Sequence, residues 1–513
     1  MKEAAPQSKT PGLPTFYLEA FGCPSSQYEG EAVRSLLLQE GFPEAREGIP
    51  EIYLINTCAV TEGAVRKLRK AVRQIKKQSP RTLVVLMGCY PQLFACPNSP
   101  DPAPSTPSFS REQFPFSKEQ LPETAETGTD TGSDPDVPYP LLEAPASFPP
   151  VDLYLGNEER HRLPQLLRKR LREFHRHREK LPPWNLVNRR QPAEPLEKLS
   201  PPRLEYRRVR PVLKIQEGCP YQCGYCLVTL ARGRPRSLPP AEASRQVRHF
   251  LEEGRREIVL AGTNLGQYRY PGCQAAETAG EEGCGNLVDL LRTLIELPSS
   301  HPYRLRLSYL EPSSITEELL QLMSQSEKLC PYLYLPLQSA SPRVLQLMGR
   351  NYTVEDLEKI LGRARELMPD LCIHSDLIVG FPGEQEEDHR QTVEWVRRWE
   401  LSALHLFSYS PRPFTPAYSW GNQVQPEIIK ERYRELETLG RELSLKFHQR
   451  MQGKKLRVLV ERSREGQAEG FSDNYLWTSF PERKSGQAGS LQGSFAAVTA
   501  VRSHSGGVEG ELD

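Results

Sequence analysis

The sequence predicts an α/β protein in three parts: an N-terminal α/β domain with a parallel sheet, a partial (β/α)6 barrel, and a small C-terminal β-barrel. Three observations carry this. Short apolar strands alternate with amphipathic helices over residues 13–96 and 151–181; the same alternation returns six times within residues 205–448; and from residue 449 the apolar period shortens to two. The chain has 513 residues, 38% of them hydrophobic and 26% charged, enough to fill several cores. No apolar run approaches the roughly 18 residues of a membrane helix, and MKEAAPQSKTPG lacks the apolar centre of a secretory signal. A cytoplasmic protein with no membrane partner is the expectation.

In the first region TFYLEAFG, EIYLINTC and TLVVLMGC read as strands. Between them EAVRSLLLQEGF places Val33, Leu36 and Leu37 at helical spacing with Gly41 as its stop, and VRKLRKAVRQIKKQ is a basic helix. Residues 97–150 contain 13 prolines among many Ser, Thr, Asp and Glu. Such a segment buries too little apolar surface to offset its ordering and is expected to be a disordered insertion. The first domain resumes at VDLYLGNEERHRLPQLL, and residues 182–204 form a proline-bearing linker. VLKIQEG, EIVLAGTN, RLRLSYLEP, PYLYLPLQS, CIHSDLIVGFPGE and SALHLFSYSP then supply six strands, whose polar ends mark the site of such a barrel. The helix PEIIKERYRELETLGRELSLKFHQRMQG closes it. Alternating Leu456, Val458 and Val460 and the β-prone FAAVTAV place a barrel of OB type at 449–505, with 506–513 as a tail.

The chemistry lies in the cysteines. Cys219, Cys223 and Cys226 fall in EGCPYQCGYC with the spacing C-x3-C-x2-C, which places three thiolates on three irons of one four-iron cube and leaves the fourth iron open. A zinc site needs one more Cys or His nearby, and LVTLARGRPRSLPP supplies neither. Three further cysteines, Cys23, Cys58 and Cys89, end the first three strands. The carboxyl ends of parallel strands share one edge, so these thiols are expected to converge. Cys96, Cys273, Cys284, Cys330 and Cys372 match no ligand position and read as packing or exposed thiols.

The C-x3-C-x2-C loop, with Tyr225 before its last cysteine, resembles that of the radical S-adenosylmethionine (SAM) enzymes. Together with the upstream triad and the terminal β-barrel, the chain resembles the methylthiotransferase family over nearly its whole length outside 97–150. INTCAVT, LMGCYPQ, ARGRPRS, LAGTNLGQY, YLPLQSAS, DLIVGFPGE and YSPRPFTPA are similar to stretches of those enzymes. Their resemblance implies a radical SAM barrel, a TRAM domain that binds RNA, and two 4Fe-4S clusters: an auxiliary one on Cys23, Cys58 and Cys89 and the SAM-cleaving one on Cys219, Cys223 and Cys226. One SAM would methylate a sulfur on the auxiliary cluster, and a second would yield the 5′-deoxyadenosyl radical that opens a C–H bond for the methylthio group. An external reductant such as flavodoxin or ferredoxin is implied.

CAVT with its basic helix, LKIQEGC and SYSPRPFTPA look most like the branch acting on threonylcarbamoyladenosine at position 37 of tRNA, in the anticodon arm. Other branches modify isopentenyladenosine in tRNA or an aspartate of a ribosomal protein; GCPSSQYEGE lacks the Asn of the GC-x-x-N usual in the tRNA branches, and its Pro24 is similar to the ribosomal-protein branch. For SAM, the resemblance points to Tyr225, Gly262, Asn264, Ser308, Gln338 and Asp376 at the strand ends, and each also reads as an ordinary strand-end hydrogen bond. Net charge is only +1, yet basic residues cluster, and Arg66, Lys67, Arg69, Lys70, Arg232, Arg234 and Arg236 are the expected RNA contacts. Tyr475 and Trp477 read either as stacking platforms or as core aromatics. Two different readings stay open: an RNA-binding protein with one structural Fe–S or zinc site, and radical methylation without sulfur insertion.

Overall fold

A computed structural model describes residues 13–58, 62–93, 148–176, 184–187, 196, 206–271, 284–482 and 491–513. The insertion expected at 97–150 and the linker expected at 182–204 fall almost wholly outside these, as do Cys96 and Cys273. The chain divides into two compact units, one built from the N-terminal domain and one from residue 206 onward.

The first unit is a five-stranded parallel sheet in sequential order: β1 (Phe16–Ala20), β2 (Ile52–Thr57), β3 (Leu83–Gly88), β4 (Leu153–Leu155) and β5 (Trp184–Leu186). Successive strand residues point to opposite faces, so Phe16, Ile52, Leu54, Val85, Met87 and Leu153 pack on one side. There they meet Val33 and Leu37 of α1 (Pro24–Gln39) and Leu163 and Leu167 of α4 (Leu163–Arg176). On the opposite face Tyr17 and Tyr53 lie with α2 (Glu62–Gln78), and a short α3 (Cys89–Leu93) follows β3 directly.

In the second unit six parallel strands form the expected half-barrel. These are β6 (Val212–Lys214), β7 (Glu257–Ala261) and β8 (Arg304–Leu307), then β9 (Tyr332–Gln338), β10 (Cys372–Val379) and β11 (Ala403–Ser408). Isolated parallel bridges, Leu305 to Leu329 and Tyr309 to Tyr334, join the two halves. Ile258, Leu260, Leu305, Leu333 and Ile373 are buried on the outer side, while Glu257, Arg304, Arg306, Tyr334, His374 and Asp376 share the inner one.

The 25-residue helix Pro426–Arg450 leads to a closed five-stranded barrel of β12 (Lys455–Arg464), β13 (Gln467–Ser472), β14 (Trp477–Pro481), β15 (Phe495–His504) and β16 (Gly507–Leu512). The expected tail at 506–513 is corrected here: β16 pairs with both β14 and β15 and closes the barrel. A barrel has no free edge, and this strand removes the last one. Among the described residues no helix is long and apolar enough to cross a membrane.

The small barrel sits on the amino-terminal end of the half-barrel. Arg304 and Arg306 clasp the fully buried Glu257, Arg306 Nε at 2.7 Å from its Oε1. The same guanidinium groups donate to the Phe471 carbonyl at 2.9 Å and to those of Ser472 and Asp473 at 3.0 Å each. These arginines hold the Glu257 carboxyl far below the usual carboxylate range against the opposing push of burial. Tyr475, 4.7 Å from Tyr332 and 4.4 Å from Phe471, lies under the Arg306 guanidinium and is a packing aromatic of this joint.

Candidate active site

At the opposite end of the half-barrel the chain leaves β6 into the cysteine loop. Gly218 has φ +84°, and a Cβ there would stand 2.1 Å from the Arg234 carbonyl, so a side chain is excluded twice. Backbone bonds pin the loop on both flanks: Cys219 N–H to Gly233 at 3.1 Å, Cys226 N–H to Cys223 at 3.0 Å and Gly224 N–H to Met348 at 2.9 Å. Thr229 Oγ1 donates to the Tyr221 carbonyl at 2.8 Å. Glu217, fully buried just before the loop, takes Lys214 at 3.2 Å, Arg232 at 2.6 Å and Arg236 at 2.9 Å.

That arrangement corrects part of the RNA assignment. Arg232 and Arg236 turn inward to Glu217 and anchor the loop instead of facing phosphate, while Arg234 between them is exposed. The three thiols are close enough to act on one another. Burial, reinforced by Cys223, pushes Cys219 up to about 11, and burial followed by Cys223 drives Cys226 higher still. Such thiols stay protonated until a metal's charge replaces the proton.

Of the residues expected at SAM, Tyr225 belongs to the loop and Asn264 touches it. Asn264 is buried, its N–H donates to Gln216 Oε1 at 2.8 Å, its Nδ2 lies 3.9 Å from Cys219 Sγ, and its Oδ1 has no partner. Ser308 Oγ is likewise buried and unpartnered. A Cβ on Gly262 would stand 3.0 Å from the Gln216 and Leu265 side chains, a tight fit at that strand end. Gln338 ends β9 with φ +68°, a left-handed conformation that non-glycine residues hold at a cost of order 1–3 kcal/mol, mostly at functional sites. Asp376 accepts a hydrogen bond from Tyr334 Oη and is pushed up by burial. Tyr225 is half-buried, its ring edge-on to Phe381. The unsatisfied Oδ1 of Asn264, a residue beside Cys219, fits a polar ligand held on an iron cluster.

Arg350 was invisible to motif reading. Its NH1 lies 3.4 Å from Cys223 Sγ and 3.2 Å from Tyr225 Oη, and its NH2 pairs with Glu311. It comes from MGRNYT, 127 residues beyond the cysteine it touches, and no local spacing signals that contact.

In the first unit Cys23 caps α1 at its positive end, with Ser26 Oγ 3.6 Å from its sulfur. Gly22 brings it beside Cys58: a Cβ there would lie 2.8 Å from Cys58 Cβ. Thr57 pairs with Gly88, which sets Cys58 and Cys89 at neighbouring strand ends. Cys23 is exposed and Cys89 buried. Among the described residues no three His, Cys, Asp or Glu side chains close round one metal-ion position; a four-iron cube takes each thiolate on a different iron.

The same unit carries a cleft of about 390 Å³ lined by Tyr17, Glu19, Tyr53, Lys67, Lys70 and Gln74. The two tyrosines stack at 5.6 Å, and Tyr17 remains 40% exposed. Arg66, Lys67 and Lys70 are exposed, whereas Arg69 lies half-buried over Phe148. Sequence reasoning found the lysines but not the tyrosine pair, because β1 and β2 are 34 residues apart where they join Glu19 to Tyr53.

Residues 213–396 match the model of the Radical SAM superfamily, and residues 15–96 that of the Uncharacterized protein family UPF0004. The Threonylcarbamoyladenosine tRNA methylthiotransferase MtaB of Aquifex aeolicus is 32% identical over 443 residues, 86% of this chain and 92% of that one. The chain belongs to the radical SAM methylthiotransferase family. Another similar relative is the tRNA-2-methylthio-N(6)-dimethylallyladenosine synthase of Sphingopyxis alaskensis, 30% identical over 89% of each chain. A solved radical SAM methyltransferase, TsrM from Kitasatospora setae, aligns at TM-score 0.48 and 14% identity over 89% of this chain and 77% of that one. As a radical SAM methylthiotransferase the protein is an enzyme that uses SAM and [4Fe–4S] clusters.

Proposed function

We propose that this methylthiotransferase adds a methylthio group to C2 of N6-threonylcarbamoyladenosine at position 37 of tRNA. The observation that carries the reading is the 32% identity with an enzyme named for that substrate across 86% of the chain, joined to a three-thiol loop beside which Asn264 Oδ1 is buried without a partner. The 30% identity to a dimethylallyladenosine synthase favours isopentenyladenosine as the second reading. Pro24 lends no separate weight to the ribosomal-protein reading, because it occupies the first turn of α1, where its missing N–H has no helical partner to lose.

In this reading Cys219, Cys223 and Cys226 hold one cluster and Cys23, Cys58 and Cys89 the other. When bound, they and SAM supply one-electron cleavage to a 5′-deoxyadenosyl radical and a sulfur to be methylated and transferred. The chain's own residues place the ligands: Asn264 and Ser308 offer free acceptors to SAM, Gly262 gives it room, and Gln338 and Tyr225 border it. No side-chain acid or base is required for hydrogen-atom abstraction from C2. The electron comes from a flavodoxin- or ferredoxin-type donor in a reducing cytoplasm, which also keeps the thiols available.

Lys67, Lys70, Arg66 and Arg234 would neutralise phosphates, with Tyr17 and Tyr53 a platform for an unstacked base. Nucleoside mass spectrometry of tRNA from cells with and without the protein tests the substrate. Loss of 2-methylthio-N6-threonylcarbamoyladenosine with accumulation of its unthiolated parent is expected; loss of the isopentenyl counterpart alone transfers the assignment to the second reading.

A further inference from the structure

We infer that Arg350 tunes the iron cluster on the 219–226 loop through a hydrogen bond to Cys223 Sγ. The inference rests on the reading of that loop as the cluster's ligand set. Arg350 lies between the helices Pro342–Leu347 and Val354–Leu367, with its side chain only 4% exposed. Its planar fork is held on every side. Nε donates to Tyr352 Oη at 3.2 Å, NH2 to the Pro336 carbonyl at 3.0 Å and to Glu311, and NH1 is left for Tyr225 Oη at 3.2 Å and Cys223 Sγ at 3.4 Å.

Four oxygen partners from separate stretches of chain therefore fix the direction of the one bond that reaches sulfur. A guanidinium keeps its charge at any working pH, so a buried positive charge stands permanently at a cluster ligand. Charge and hydrogen bonds at ligand sulfurs favour the reduced, more negative state of an iron–sulfur cluster and raise its potential. Glu311 carries the opposite charge on the far side of the same guanidinium, so it offsets part of that effect. The pair sets how easily an external one-electron donor reduces the site.

The test uses full-length protein with Cys23, Cys58 and Cys89 changed to Ala, so that only the loop cluster reports. Arg350→Gln, Arg350→Lys and Glu311→Gln are made on that background, reconstituted without oxygen with iron and sulfide, and titrated by EPR. For Arg350→Gln the reduced-to-oxidised ratio at a fixed potential is expected to fall about tenfold, a midpoint 59 mV lower for a one-electron couple. Arg350→Lys keeps the charge and falls less, and Glu311→Gln shifts the other way. Should Arg350→Gln not fold, the opposed signs of the other two variants carry the test. One shared midpoint for parent and variants, or shifts of one sign for Arg350→Lys and Glu311→Gln, overturns the inference. A parent that assembles no cluster overturns the loop reading and the inference with it, and iron content shows this before any potential is measured.

Discussion

The two ends of the half-barrel are built on opposite terms. At the amino-terminal end Glu257 meets Arg210, Arg304 and Arg306; further donors of Arg304 and Arg306 reach carbonyls of the small barrel and Arg210 reaches the Glu461 carboxylate, leaving Glu257 surrounded by charge partners. At the carboxyl-terminal end Asn264 Oδ1 and Ser308 Oγ are buried with no partner, Gln338 holds a left-handed backbone, and the Cys219 and Cys226 thiols are forced up by burial and by Cys223. Polar groups are comparably buried at both ends. What separates a structural joint from a reaction site is whether the chain itself satisfies them.

The sharpest way to break that contrast is at the open end. Cys223→Ala is expected to lower reductive SAM cleavage, read as 5′-deoxyadenosine, to background, a fall on the order of 10⁶-fold or more, with the circular dichroism spectrum unchanged. At the closed end Glu257→Gln leaves the surrounding arginines without their carboxylate and is expected to destabilise the second unit by about 3–5 kcal/mol in denaturant unfolding. The same region can also be probed through pH. His374, facing Arg306 and His405, is pushed down to about 3 by burial and those charges. The unfolded chain then binds a proton below about 6.5 that the folded one refuses, so stability is full above 6.5 and falls with falling pH by ~1.4 kcal/mol per unit until about 3. His374→Asn should flatten that slope in melts between pH 6.5 and 5. The smallest effect belongs to Asn264→Ala: fold stability unchanged or slightly raised, and SAM bound about tenfold more weakly by calorimetry, near 1.4 kcal/mol.

Most of this architecture was legible in local pattern. Strand alternation found the six strands of the half-barrel, and C-x3-C-x2-C found the loop, because both are short-range signals. Strand β16 was missed because GVEGEL is poor in apolar residues; it is held by pairing with β14 and β15, which sequence alone does not display. Arg232 and Arg236 were misjudged for a related reason. A run of arginines looks like a phosphate surface until a buried carboxylate, Glu217, is placed among them 15 and 19 residues away. Arg350 and the Tyr17–Tyr53 pair are long-range contacts of the same kind. Charge tells little about role until its neighbours are known.

The most direct measurement of the central claim is iron, sulfide and zinc analysis of anaerobically reconstituted full-length protein beside a Cys219→Ala, Cys223→Ala, Cys226→Ala variant. About eight irons per wild-type chain are expected, with about four lost in the variant together with SAM binding, as two four-iron clusters require. A single zinc, or an iron content that the three substitutions leave unchanged, would contradict the account.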